Sequence, residues 1–221
     1  MNRPRLCILD LDGTLVDSLR DIAEATNECL DLLALPSRPF ADYRFLVGEG
    51  FPMLGRRAVD ESHQHLVPRL VDLARARYRT RFLRHTVPFP GVREMVASLR
   101  TAGIRLGVVS NKPHDLTARI VNAHWPDAVF DAVQGYVREE WRKPNPHHAL
   151  EMCRSLDVPA GDCWFIGDTA TDILTGLRAG MRAVGVSWGF RPRTELEQAG
   201  AHAVVDAPAA LAAMAGFPAA R

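Results

Sequence analysis

The chain is poor in cysteine. Its four, Cys7, Cys29, Cys153 and Cys163, lie far apart and form no C-x-x-C pair. That spacing matches neither a zinc-ligand pattern nor the disulfide framework of a small secreted domain. Two of them sit inside apolar runs, so the cysteines are expected to be reduced, small buried hydrophobes. An excess of charge is also missing, with 27 Lys and Arg against 26 Asp and Glu for a net charge of +1. A near-neutral chain lacks the basic field of a general nucleic-acid binder, so its partners should be small or local. Long hydrophobic runs are absent too. No segment approaches the roughly 20 apolar residues that span a bilayer. The start, MNRPRLCILDLDGT, is basic, but its apolar stretch is too short for a secretory signal and is broken by acids. A cytoplasmic location without a membrane partner is therefore the default expectation. Neither an internal repeat nor a low-complexity tract stands out, apart from an alanine-rich stretch near the C-terminus.

What is present is a globular composition: 221 residues, 47% of them hydrophobic, enough for one sizeable core or a core plus a smaller lobe. From about residue 88, short β-branched runs alternate with helical patterns. IRLGVV (104–109) precedes DLTARIVNA, CWFIG (163–167) precedes TDILTGLRAG, RAVGVS (182–187) precedes RTELEQAG, and AHAVV (201–205) precedes PAALAAMAG. This alternation predicts an α/β fold, a doubly wound parallel sheet covered on both faces. RLCILDL near the start does not alternate apolar with polar, as suits a strand buried on both sides of that sheet.

Residues 16–87 break the rhythm. Ile22, Cys29, Leu30 and Leu33 recur at helical spacing, as do Leu66, Leu70, Leu73 and Leu83, and no strand is needed there. The expected organisation is an α/β core of residues 1–15 and 88–221 with an inserted all-helical domain of residues 16–87. VPFPG (87–91) would mark the chain's return.

In an open parallel sheet, ligands bind beyond the carboxyl ends of the strands. Three apolar runs end there in DLDGT (10–14), SNKP (110–113) and GDTATD (167–172). Each alone has a plain structural explanation, because Asp-Gly favours turns and Ser, Asn, Asp and Thr cap helices. Together they would converge Asp10, Asp12 and Asp168 with no obvious basic partner between them, a costly arrangement unless a cation or proton intervenes. Oxygen-only ligands suit Mg²⁺, which keeps waters and takes a substrate phosphate oxygen. A carboxylate can also attack phosphorus and split one hard hydrolysis into two easier steps. WRKPNP (141–146) supplies a cation, Lys143, in a loop that two prolines keep from becoming helical.

With these four segments in this order, the chain resembles the haloacid dehalogenase superfamily, whose motifs match DLDGTLVDS, SN, KP and GDTATD. The resemblance implies a Rossmann-like core and a helical cap. It implies Asp10 as nucleophile and Asp12 as general acid and base. Ser110 and Lys143 would hold phosphoryl oxygens, with Asn111 nearby. Mg²⁺ would be held by Asp10, the backbone carbonyl of Asp12 and Asp168, with Asp172 close behind. FLVGEGFPMLGRRAV (45–59) and SWGFRPRTELEQAGAHAVVDAP (187–208) are similar to the corresponding parts of phosphoglycolate phosphatases. The implied activity is Mg²⁺-dependent hydrolysis of a small phosphomonoester metabolite, with 2-phosphoglycolate the leading candidate. Asp12 argues against a dehalogenase, whose reaction has no alcohol to protonate. A sugar-phosphate mutase of the β-phosphoglucomutase type and a catalytically silent binding protein are the alternatives.

Within the insert, Gly48, Glu49 and Gly50 form a loop tip that could approach substrate closely, so Gly48 and Glu49 are candidate substrate-binding residues. The arginine run Arg75, Arg77, Arg79, Arg81 and Arg84, interleaved with Tyr78 and Phe82, is expected as a solvated amphipathic helix. His63 and His65 resemble a metal pair but have no third ligand nearby in sequence, and are expected at the surface. The chain is expected to be a monomer or homodimer.

Overall fold

The computed structural model describes residues 3–216. The chain divides into two compact units, cut between Val16 and Asp17 and again between Val87 and Pro88. The first strand, β1 (Leu6–Leu9), is followed by the two-residue β2 (Val16–Asp17). The inserted unit then carries α1 (Leu19–Leu32), α2 (Tyr43–Leu46), α3 (Gly50–Ala58) and α4 (Val67–Arg79). After β3 (Val87–Pro88), the chain alternates: α5 (Val92–Thr101), β4 (Arg105–Pro113), α6 (His114–His124), β5 (Ala132–Tyr136) and α7 (His147–Ser155). It ends with β6 (Cys163–Gly167), α8 (Ala170–Arg178), β7 (Arg182–Val186), α9 (Arg193–Gln198), β8 (Ala203–Val205) and α10 (Pro208–Met214).

Six strands form one parallel sheet in the order β5-β4-β1-β6-β7-β8. β1 lies between β4 and β6, and all four of its residues are buried. Its unbroken apolar run follows from that position, since both of its faces are covered by other elements. Leu6 and Ile8 join Phe165, Cys163 and Val109 in a cluster that buries Ala149, Met152 and Cys153 of α7. Gly107 makes this approach possible, because a Cβ there would fall 2.1 Å from Met152 Sδ. All four cysteines are buried free thiols, as expected. No helix among the described residues is long and apolar enough to cross a membrane.

Several strands depart from the sequence reading. β5 was not foreseen. It is an edge strand whose AVQGY carries little β-branched character and is mostly half-buried, so packing contributed little signal. The insert was expected to contain no strand, yet Val16–Asp17 pairs with Val87–Pro88 where the chain leaves and returns. Backbone pairing of two residues a side leaves no periodicity to read. The strand ending at residue 109 in the sequence reading also continues to Pro113, with an irregularity in register between Ser110 and Pro113.

In the inserted unit, α1 and α4 pack against one another, and Ile22, Cys29, Leu30, Leu70, Val71 and Tyr78 of these helices are buried. α4 stops at Arg79, so Leu83, expected on its apolar stripe, lies beyond the helix and is 40% exposed. Arg77 and Arg81 are not merely solvated. Arg81 binds Glu24 and Glu28, and Arg77 binds Glu28, joining α4 and the turn after it to α1. His63 contacts Asp60 at the surface, as expected for a residue outside any core.

The chain's return to the boundary is held by Asp21, which is fully buried. Its carboxylate accepts from the backbone N–H of His85 and Thr86, at 2.9 Å each to Oδ2, and from Thr86 Oγ1 at 2.8 Å. Asp21→Ala would strand these donors away from water. The expected loss is about 1–3 kcal/mol of unfolding free energy, read by chemical denaturation.

Candidate active site

The carboxyl ends of β1, β4 and β6 bring the sequence-predicted core residues together. β1 delivers Asp10, whose N–H donates to Ile166 O of the neighbouring strand at 2.9 Å. β6 delivers Asp168, and the loop before α7 delivers Lys143. Lys143 Nζ stands 2.6 Å from Asp10 Oδ1 and donates to Asp172 Oδ1 at 2.7 Å. It also lies 5.8 Å from the centre of the Phe165 ring. Asp10, Asp168 and Asp172 are all buried and each offers one oxygen, the three within 4.8 Å of one another.

The expectation that no basic residue would stand between the acids is therefore corrected. Lys143 touches two of the acids, and Lys112, which the sequence reading passed over inside SNKP, holds Asp12 by both oxygens at 2.9 and 2.7 Å. Both lysine side chains are nearly inaccessible, at 3% and 5% exposed. A surface lysine is the usual outcome for this residue type. Here the flexible stems bring ammonium groups to the buried Asp10 and Asp172 and to the partly exposed Asp12.

Asn111, expected beside the phosphoryl oxygens, holds the loop that carries Lys143. Its side-chain oxygen accepts from Lys143 N at 2.8 Å and its Nδ2 donates to Lys143 O at 3.1 Å. Both ends of the amide are thus spent on the loop carrying Lys143. Ser110 Oγ accepts from Lys112 N at 3.2 Å, which leaves the hydroxyl its one proton to donate.

Asp172 is both site acid and helix cap. It completes a capping box with Thr169 at the start of α8, its Oδ2 accepting from Thr169 N at 3.1 Å and Thr169 Oγ1 at 2.7 Å. Asp168 takes no part in that cap. It accepts instead from Thr14 Oγ1 at 3.2 Å and from Phe190 N at 2.8 Å. Trp188 Nε1 in turn donates to Thr14 O at 3.0 Å. Thr14, Phe190 and Trp188 escaped the sequence reading because their contacts span more than 20 residues and carry no local pattern. Gly48 and Glu49 lie in the inserted unit, in the turn that opens α3, where Glu49 is ion-paired with Arg57.

The comparisons agree with this geometry. The family model described as "Haloacid dehalogenase-like hydrolase" matches residues 7–186. The chain belongs to this family. Within it, the chain is 34% identical to a phosphoglycolate phosphatase of Rhodospirillum rubrum, over 97% of this chain and 92% of that protein. It is 33% identical to one of Caulobacter vibrioides, over 91% and 88%. A crystal structure from Lactobacillus delbrueckii subsp. bulgaricus superposes with a TM-score of 0.91 at 28% identity, covering 98% of this chain and all of that one.

The electrostatics of this family member's site favour an added cation. Burial pushes the Asp10 carboxyl up to about 7, with Lys143 only partly offsetting it. Burial, reinforced by Asp172 and Asp10, also holds the Asp168 carboxyl well above the usual range. Burial works against the Lys143 charge, but Asp10 and Asp172 outweigh it and keep that group protonated. Each pair of carboxylates at this spacing repels by about 3 kcal/mol or more at an effective dielectric near 20. Three mutually close acids meet one lysine that contacts two of them, so charge remains uncompensated. An all-oxygen donor set with this deficit fits a hard divalent cation such as Mg²⁺.

Gly13 lets Asp168 enter the group. Its φ is +91°, and a Cβ would lie 2.2 Å from Asp168 Oδ2. Gly13→Ala is therefore expected to displace Asp168. A thermal melt with and without Mg²⁺ should show cation stabilisation in the unsubstituted chain and little or none in the variant.

Proposed function

We propose that this protein hydrolyses a small phosphomonoester, with 2-phosphoglycolate the leading candidate, through a phosphorylated Asp10. The observation that carries the reading is the buried Lys143 between Asp10 and Asp172, beside Asp168. In this reading the close carboxylates and ammonium group serve as an oxygen nucleophile, a fixed positive charge and a cation-binding acid group within one small volume. The names of the relatives at 33–34% identity support the substrate.

In this reading, Asp10 attacks phosphorus, and the bond from phosphorus to the ester oxygen breaks. Asp12 gives its proton to the departing alcohol. It then takes a proton from the water that attacks the acyl phosphate, releasing inorganic phosphate and restoring Asp10. Lys112 orients Asp12 through its two-point contact. Ser110 and Lys143 bind phosphoryl oxygens, and Asn111 acts through its grip on the Lys143 backbone. Asp10, the backbone carbonyl of Asp12 and Asp168 would hold Mg²⁺, with Asp172 adjacent. Bound there, the cation supplies charge neutralisation for the phosphoryl group. The role given to Lys143 is electrostatic: its charge faces the place where negative charge accumulates, in a buried setting where such contacts count most.

The test is phosphate release from a panel of esters, including 2-phosphoglycolate, hexose and pentose phosphates and p-nitrophenyl phosphate, with Mg²⁺ or with EDTA. Mg²⁺-dependent turnover with a strong preference for 2-phosphoglycolate is expected, and Asp10→Asn should abolish it. Wild-type turnover in Asp10→Asn would falsify the assignment. Conversion of a sugar phosphate to its isomer, without net phosphate release, would point to a mutase.

Asp12→Asn should slow turnover of alkyl esters by about 10²- to 10⁴-fold. The loss should be smaller for p-nitrophenyl phosphate, whose leaving group needs little protonation. An equal loss with both substrates would remove the acid half of the role given to Asp12.

A further inference from the structure

A second group of metal-type donors lies at the start of α7, outside the candidate active site. His147 Nε2 is 3.6 Å from Glu151 Oε2, and His148 Nδ1 is 3.8 Å from the same oxygen. Each of the three residues offers one ligand atom, all within 4.8 Å of one another. A tetrahedral centre with bonds of about 2.0–2.1 Å holds its donors roughly 3.4 Å apart. The two distances to Glu151 are slightly wider than that, and rotation of the exposed Glu151 and the partly exposed His147 side chains would draw the three donors together.

A simple ion pair on a helix surface would account for His147 and Glu151, but not for His148. That side chain is buried, at 4% exposed, and neither of its ring nitrogens makes a hydrogen bond. At 3.8 Å, Glu151 is beyond hydrogen-bonding reach of Nδ1. Buried polar atoms without partners are rare in native structures, and a missing ion is one of their explanations. Burial, followed by the proximity of His147, holds the His148 imidazole below its usual pKa. The ring is thereby kept neutral, the form that ligates metal.

Trp141 fixes the ring planes. It stacks on His147 at 4.2 Å and 14°, and meets His148 edge-on at 5.6 Å and 87°. The Arg138 guanidinium stands 4.7 Å from the Trp141 ring centre. Asn145 Oδ1 accepts from His147 N at 2.9 Å and anchors the first residue of the helix.

We infer that His147, His148 and Glu151 form a binding site for a borderline divalent cation of the zinc class, with a fourth position open to water or an exogenous ligand. Two imidazoles and one carboxylate suit zinc, whereas Mg²⁺ favours the all-oxygen set at Asp10, Asp168 and Asp172. The two sites thus differ in the softness of their donors, so each selects a different cation.

The experiment is titration of the purified chain with Zn²⁺, and separately with Co²⁺. Glu151→Gln and the double variant His147→Ala/Glu151→Gln are run in parallel. Neither substitution removes a fully buried group, and circular dichroism melts confirm that the variants fold. The unsubstituted chain should take up one more equivalent of Zn²⁺ than the double variant, the remainder being held by the acidic site. Glu151→Gln alone should weaken that extra equivalent by more than about tenfold. Co²⁺ should give the visible absorption of a nitrogen-ligated, four-coordinate centre, lost in the double variant. Equal Zn²⁺ stoichiometry in all three proteins, or a cobalt spectrum indifferent to the substitutions, would overturn the inference. Because the readout is metal uptake, failure here leaves the phosphatase reading standing, and failure of that reading leaves this one standing.

Discussion

The candidate site depends on one buried ammonium group. Lys143 must be desolvated, which opposes its charge, and it remains charged because Asp10 and Asp172 stand within 2.6 and 2.7 Å. Remove the lysine, and three close carboxylates would repel one another in a region with little water. Remove the acids, and a buried ammonium would have nothing to pair with. Each partner makes the other tolerable, so sheet, loop and helix are held to one geometry.

That geometry is supplied by elements far apart in sequence. Asn111, at the end of β4, binds both backbone polar groups of Lys143 and so sets where its loop passes. The strand order puts β1 between β4 and β6, which makes neighbours of the ends that carry Asp10, Ser110 and Asp168. Gly13 keeps its chain thin enough for Asp168 to approach. The site is a product of parallel topology, in which every strand presents its carboxyl end on the same edge.

Much of this was legible in the sequence, because period and punctuation encode it. Five of the six strands of the main sheet show apolar or β-branched runs, and Asp10 and Asp168 fall directly after two of them, β1 and β6. The inserted helices show their apolar spacing at Ile22, Cys29 and Leu30 and at Leu70. What escaped was of two kinds. β5 sits at an edge and buries little, so its composition was under weak constraint. Lys112, Thr14 and Phe190 act through contacts made only when distant segments meet, and a lysine or threonine reads the same in either role. The arginines of α4 and of the turn after it illustrate the same limit. Their charge was readable, but not that Arg77 and Arg81 find Glu24 and Glu28 across the helix pair.

Asp172 shows how folding and chemistry share one residue. Its Oδ2 satisfies the first turn of α8, a role that alone stabilises a helix by about 1 kcal/mol. Its Oδ1 holds Lys143. An amide at this position could still accept from Thr169, so the helix would retain most of its cap. It would carry no charge to offset the buried ammonium, and the lysine would then lean on Asp10 alone. The carboxylate is therefore demanded by the site rather than by the helix. That α8 is capped through an acid three residues in, while Asp168 stays outside the cap and faces Thr14 and Phe190, divides the GDTATD segment by task. One acid ties the helix to the lysine, and the other ties the end of β6 to Thr14 and Phe190.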